Sequence, residues 1–195
     1  MKSNDRSKKK QDMPTTFFQY VLQLKSVKRA GWVSKVHINN PESVADHTFS
    51  MCAISMVLSD MLGLDTEKVI KMVILHDLAE SITGDYMPEE ITKKRKLSQE
   101  KKAMNLILYS LPLNIRSDYI KIWQEYILNK TYIARFVHKM DKLDLILQAR
   151  RYAKQGNSHR LLAHFYKSVD KTLLHSILAR DSTNATKYFN AYSRK

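Results

Sequence analysis

Chain breakers are scarce in this 195-residue sequence, which has 4 glycines and 4 prolines. So few of them exclude collagen-like and low-complexity architectures and favour helices. Cysteine is scarcer still. The single Cys52 excludes an internal disulfide framework and fits a reducing compartment, so the cytoplasm is the expected location. No run approaches the roughly 18 apolar residues of a membrane span, and no apolar segment follows the basic N-terminus closely enough to make a signal peptide. What is present is ordinary in amount: 44% hydrophobic and 27% charged residues, enough at this length for one domain with its own core. The charge is one-sided, with 33 Lys and Arg against 19 Asp and Glu, a net +14. Such an excess biases the protein toward phosphate-bearing partners and decides nothing further.

The excess is spread along the chain. Residues 1–13 hold Lys2, Arg6, Lys8, Lys9 and Lys10 against Asp5 and Asp12 and read as a flexible basic arm. Residues 14–195 read as a single domain. From Pro14, Phe17, Phe18, Val21, Leu22 and Val27 recur at helical spacing, and a stop is expected near Gly31. The segment 33–42 reads as a loop or short extended stretch. Ser43 with Asp46 forms a capping pair opening a helix whose inner face carries Val44, His47, Met51, Ile54, Leu58 and Met61, closed by Gly63. Asp65 or Thr66 caps the next, with Val69, Met72, Val73 and His76 inward and Gly84 just past its end. The basic stretch 88–97, including Lys93-Lys94-Arg95-Lys96, reads as a loop with frayed helix. Helices follow over about 98–110, 115–128 and 131–155, with one or two more in 158–193. No alternating strand pattern appears. The expected fold is all-α, a compact bundle of about seven to nine irregularly crossing helices.

Few residues are suited to chemistry. His76-Asp77 ends a largely apolar stretch, where an unpartnered carboxylate is costly. Glu80 follows one turn later, so on a continuous helix all three project to neighbouring parts of one surface. An imidazole with two carboxylates is what a divalent ion with an activated water requires. The pair alone is a weak signal, and a core His–Asp hydrogen bond explains it. His47 lies on an inner stripe and by itself reads as a core histidine. Asp141 shares an apolar face with Val137, Leu145 and Gln148 and needs a cation or several donors. His138, Asp46 and Asp144 are rivals for ligand roles. Capping accounts better for Asp46, and a position on the helix surface for Asp144.

The ordered set His47, His76-Asp77 and Asp141 resembles the HD-domain superfamily of metal-dependent phosphohydrolases. More narrowly, LKSVKRAGW, PESVADHT, LHDLAESITGD, WQEY and KMDKLD followed by QARRY resemble the YfbR-like 5′-deoxynucleotidase family. The resemblance implies an HD-domain bundle that hydrolyses deoxyribonucleoside 5′-monophosphates. It implies His47, His76, Asp77 and Asp141 as ligands of one divalent ion, Glu80 and Asp85 as catalytic, Arg29 and Trp32 as nucleotide contacts, and a homodimer. The bacterial branch has its Arg and Trp adjacent. Here Ala30 and Gly31 separate them, a form similar to the archaeal and eukaryotic branch. A ligand set of mixed N and O donors suits Mn, Fe, Co, Ni or Zn, with Mg less natural. Two alternatives stand beside this expectation. An HD enzyme could act on another nucleotide or phosphate ester. A non-enzymatic basic protein that binds nucleic acid would explain the charge but not the His and Asp set, and no recognition motif supports it.

Overall fold

A computed structural model of the chain describes residues 13–166. Nine α-helices and one 3₁₀ turn occur among them: α1 (Met13–Gln23), the 3₁₀ turn Leu24–Ser26, α2 (Ala30–Val36), α3 (Val44–Met61), α4 (Thr66–His76), α5 (Glu80–Thr83), α6 (Lys93–Tyr109), α7 (Leu113–Leu128), α8 (Tyr132–Lys154) and α9 (His159–Tyr166). The fold is all-α. The nearest approach to a sheet among the described residues is one antiparallel bridge, Lys28 to Ser43. No helix there is long and apolar enough to cross a membrane. The expected basic arm, save Met13, and the helical segment expected after Tyr166 lie outside the described residues.

Local chemistry starts most of these helices. Ser43 and Asp46 form a reciprocal capping box at α3, Asp65 accepts from Lys68 N–H at α4, and Thr131 accepts from Ala134 N–H at α8. Gly63, at φ +64, takes the left-handed turn that follows α3, a conformation cheap only for glycine. Three apolar clusters then fix the packing. One joins α3, α4, α7 and α8 through Met51, Met72, Val73, Tyr126, Phe136 and Met140. A second gathers α6, α7 and the 76–80 turn around Leu78, Met104, Ile107 and Trp123. The third, Trp32, Val36, Tyr152, Leu162 and Phe165, holds α2 and α9 on the end of α8.

Five expectations are corrected. The N-terminal helix breaks well before Gly31. Val27 and Arg29 are extended, pinned by Val44 N–H to Val27 O at 2.8 Å and Arg29 N–H to Glu42 O at 3.1 Å. The stretch 33–42, taken as a loop, then begins with the second half of α2, residues 33–36. The helix expected to run on to Gly84 stops at His76. Residues 77–82 follow as an i→i−3 turn, with Glu80 N–H on Asp77 O at 3.0 Å and Ser81 N–H on Leu78 O at 3.2 Å. That tighter coil aligns residues i and i+3. Asp77 and Glu80 therefore share a side, whereas the i, i+4 relation of His76 to Glu80 does not apply. The basic run 93–96 is the first turn of α6, because Thr92 caps it and Lys96 turns inward. Met61 is 49% exposed rather than on the inner face, since α3 packs along Met51, Ser55 and Ser59.

Candidate metal centre

His47 and His76 enter the centre from opposite kinds of helix end. His47 stands in the first turn of α3, and His76 is the last residue of α4. Both are buried, with ring centroids 5.4 Å apart. In each the Nδ1 atom is spoken for. That of His76 lies 2.6 Å from Val73 O, one turn back in its own helix. That of His47 lies 2.7 Å from Asp144 Oδ2 on α8. In each the Nε2 atom is buried without a hydrogen-bond partner, and each faces carboxylates. His76 Nε2 is 3.0 Å from Asp77 Oδ2, and His47 Nε2 is 3.3 Å from Asp141 Oδ1 and 3.9 Å from Asp77 Oδ2. Imidazoles with Nδ1 anchored and Nε2 turned on carboxylates are the arrangement a bound metal ion requires. On these orphaned atoms the residues fit a divalent cation.

The structure brings His47, His76 and Asp77 together, with one ligand atom from each inside 4.8 Å of the others. Asp141 touches His47 but is not within that distance of all three. The Arg29 guanidinium stands between the two carboxylates, 3.2 Å from Asp77 and 4.0 Å from Asp141. Arg29 arrives there because the bridged segment 27–29 is tied to the start of α3. Burial opposes ionisation of Asp77, yet His76, Arg29 and His47 hold its carboxyl well below the usual carboxylate range. Burial likewise opposes ionisation of Asp141, but its close contact with His47, with Arg29 beside it, lowers it to about 2. Burial and Arg29 push His47 down, while the close carboxylate of Asp141 and the hydrogen bond to Asp144 outweigh them and raise it to about 10. A divalent ion would take the place of the proton on Nε2.

Glu80 is buried at the rim of this group. Burial drives its pKa well above the ordinary value, the nearby charges of Asp77 and Asp85 add to this, and Lys96 and Arg29 oppose it. One oxygen accepts from Lys96 Nζ at 3.3 Å, and the other has no partner. Asp85 accepts from Ala30 N–H at 2.9 Å and so caps α2 from 55 positions away. Arg29 and Asp85 also line a cleft of about 310 Å³ walled by Trp32, Tyr86, Met87 and Phe165. Trp32 is 1% exposed, edge-on to Tyr152, and its indole N–H donates to Glu42 at 2.8 Å.

Among the rivals, Asp46 caps α3, as expected. His138 stacks on Tyr126 with centroids 4.0 Å apart, and its Nε2 meets Tyr126 O. Asp144 is the correction. It is 3% exposed, not on the surface, because α8 turns the i, i+3 pair Asp141 and Asp144 toward α3. Ser50, Glu42 and Lys96 escaped the sequence reading as site residues, and Asp144 was weighed but placed on the surface. The matching i, i+3 spacings of His47/Ser50 and Asp141/Asp144 were a signal for two of them.

A helical bundle that presents histidine, histidine-aspartate and aspartate in this order is an HD domain. The HD-domain family model matches residues 21–179, and the chain belongs to the HD-domain family. It is 37% identical over 154 residues to the 5′-deoxynucleotidase HDDC2 of Mus musculus, covering 78% of this chain and 76% of that protein. The protein of the same name from Dictyostelium discoideum is 40% identical over 147 residues, covering 71% and 77%. Among solved structures, a conserved hypothetical protein from Pyrococcus furiosus superposes with a TM-score of 0.67 at 28% identity, covering 93% of this chain and 99% of that one.

Proposed function

We propose that this chain is a metal-dependent phosphohydrolase, a 5′-deoxynucleotidase that converts deoxyribonucleoside 5′-monophosphates to deoxynucleoside and phosphate. The observation that carries the proposal is the pair of buried imidazoles whose unpartnered Nε2 atoms face Asp77 and Asp141 beside Arg29. The relatives named 5′-deoxynucleotidase supply the substrate class. His47, His76, Asp77 and Asp141 hold one divalent ion, of the Mn, Fe, Co, Ni, Zn or Mg group. When bound, the ion offsets charge on the phosphate oxygens and lowers the pKa of its water.

The chain's own groups do the rest. Arg29 is a planar fork beside the carboxylates, suited to the dianionic phosphate. Glu80 is buried, and burial with the nearby charges of Asp77 and Asp85 favours its protonated form, so it is placed to deliver a proton to the 5′ oxygen as the P–O bond breaks and water adds to phosphorus. Lys96 holds the other end of its carboxyl. Asp85 fixes the start of α2 beside Arg29 and belongs to the catalytic group. The nucleoside occupies the adjoining cleft, where Trp32 forms the wall nearest the sugar and Glu42 holds the indole in place. We take the working unit to be a homodimer of two single-domain chains. The lone Cys52 supports the cytoplasm as its place.

The test is a panel of deoxy- and ribonucleoside mono-, di- and triphosphates assayed with each metal. Phosphate release from deoxyribonucleoside monophosphates, dependent on added metal, is expected to exceed that from every other class. Preference for triphosphates, or turnover undiminished by chelator, overturns the assignment. Sedimentation at twice 22.8 kDa checks the dimer.

A further inference from the structure

Two carboxylates lie behind His47, on the side away from the proposed metal. Glu42, His47 and Asp144 each place one ligand atom within 4.8 Å of the others. The carboxyl of Glu42 is engaged by the indole N–H of Trp32 at 2.8 Å. That of Asp144 is not engaged elsewhere by an ion pair. Its Oδ2 meets His47 Nδ1 at 2.7 Å, and its Oδ1 accepts from Ser50 Oγ at 2.5 Å. Among the described residues no lysine or arginine pairs with Asp144, although it is almost fully buried. A carboxylate so placed is costly unless its hydrogen bonds repay the lost hydration. Both of its bonds run to the first two turns of α3.

Those bonds determine what His47 can offer. An imidazole whose Nδ1–H is held by an acceptor carries its lone pair on Nε2, and its ring cannot rotate away from the carboxylates ahead of it. His76 needs no such partner, since the Val73 carbonyl of its own helix does the same work. For His47 the corresponding carbonyl, Val44 O, accepts from Thr48 Oγ at 2.8 Å instead. The acceptor for its Nδ1 comes from another part of the chain, Asp144 on α8.

We propose that Asp144, braced by Ser50, is the positioning residue that fixes the ring orientation and tautomer of His47, so that Nε2 ligates the divalent ion. This rests on the metal reading above. The test is Mn²⁺ affinity, measured by titration calorimetry on full-length wild type, Asp144→Leu, Asp144→Asn and Ser50→Ala. Far-UV circular dichroism and the melting temperature of the metal-free proteins report folding separately. Asp144→Leu keeps the branched shape, with bulkier methyl groups, but removes the acceptor, and its affinity is expected to fall about 10- to 100-fold, the usual cost of losing such a partner. Asp144→Asn retains an acceptor oxygen and is expected to recover part of that loss. Ser50→Ala removes the brace alone and is expected to weaken binding by about 2- to 10-fold, one net hydrogen bond. Wild-type affinity in a folded Asp144→Leu protein, or in Ser50→Ala if the leucine variant does not fold, overturns the proposal. A wild-type protein that binds no Mn²⁺ overturns the metal reading instead.

Discussion

The two buried histidines meet at one point but are held in different ways. His76 closes α4, and everything that orients it is local: its Nδ1 rests on Val73 O, and Asp77 and Glu80 follow in a tight turn. His47 opens α3, and little that orients it is local. Asp144 comes from 97 positions away, and Arg29 is delivered by a bridge to the residues just before the helix. His76 leans on a carbonyl of its own helix, while the equivalent carbonyl for His47, at Val44, is occupied by Thr48 and the acceptor comes from α8. The His76 half is therefore oriented by contacts within one helix and its following turn, and the His47 half by the packing of α3 on α8.

The comparison breaks most plainly if the two histidines are unequal in function. His47→Ala and His76→Ala are each expected to lose bound Mn²⁺ and at least about 10³-fold in turnover, since a metal contributes several kcal/mol of charge stabilisation. Metal analysis and phosphate release on the same samples decide it, and one variant that keeps both would leave its histidine structural. On the His76 side, Glu80→Gln is expected to keep the metal and lose about 10²- to 10⁴-fold in turnover. Metal stoichiometry measured beside kcat separates this from damage to the centre.

Smaller effects sharpen the His47 side. Trp32→Phe removes the indole N–H and leaves the half-buried Glu42 carboxyl short of a partner, which costs about 1 kcal/mol in urea unfolding. If Trp32 walls the nucleoside cleft, KM for dAMP rises as well, and the preference for dAMP over AMP narrows. Asp46→Ala removes half of the capping box beside His47, at a cost of about 1 kcal/mol. The hydrogen bonds from Ser43 hold the Asp46 carboxyl below its ordinary 3.8. Its contribution is present above 3.8 and is lost as pH falls through the depressed value. Urea midpoints for wild type and variant are therefore expected to differ at pH 7 and converge in acid.

Legibility followed the same division. The caps at Ser43 and Asp65, the inward stripe Val69, Met72, Val73 and His76, and the ends of α7 and α8 all depend on neighbours within about a turn, and each was visible in the one-dimensional pattern. The break at Val27–Arg29 was not, because it is stabilised by pairing with Glu42 and Val44 rather than by any breaker residue. The start of α6 was missed because four successive basic residues oppose the helix dipole, and the carboxylates of Glu80 and Glu100 that accommodate Lys96 lie a turn or more away.

By itself the sequence determined that this protein is helical and where most of its helices begin, and its resemblance to a known family pointed to His47, His76, Asp77 and Asp141 as candidate ligands. Side-chain spacing along a helix is a property of the backbone and can be counted. Only the tertiary structure decided which way the ligand atoms face. It set Asp144 behind His47, Arg29 between Asp77 and Asp141, Asp85 on the first turn of α2, and Lys96 on Glu80. Each of these contacts joins separate helices or turns, and a buried polar group accepts whichever partner the packing brings within reach.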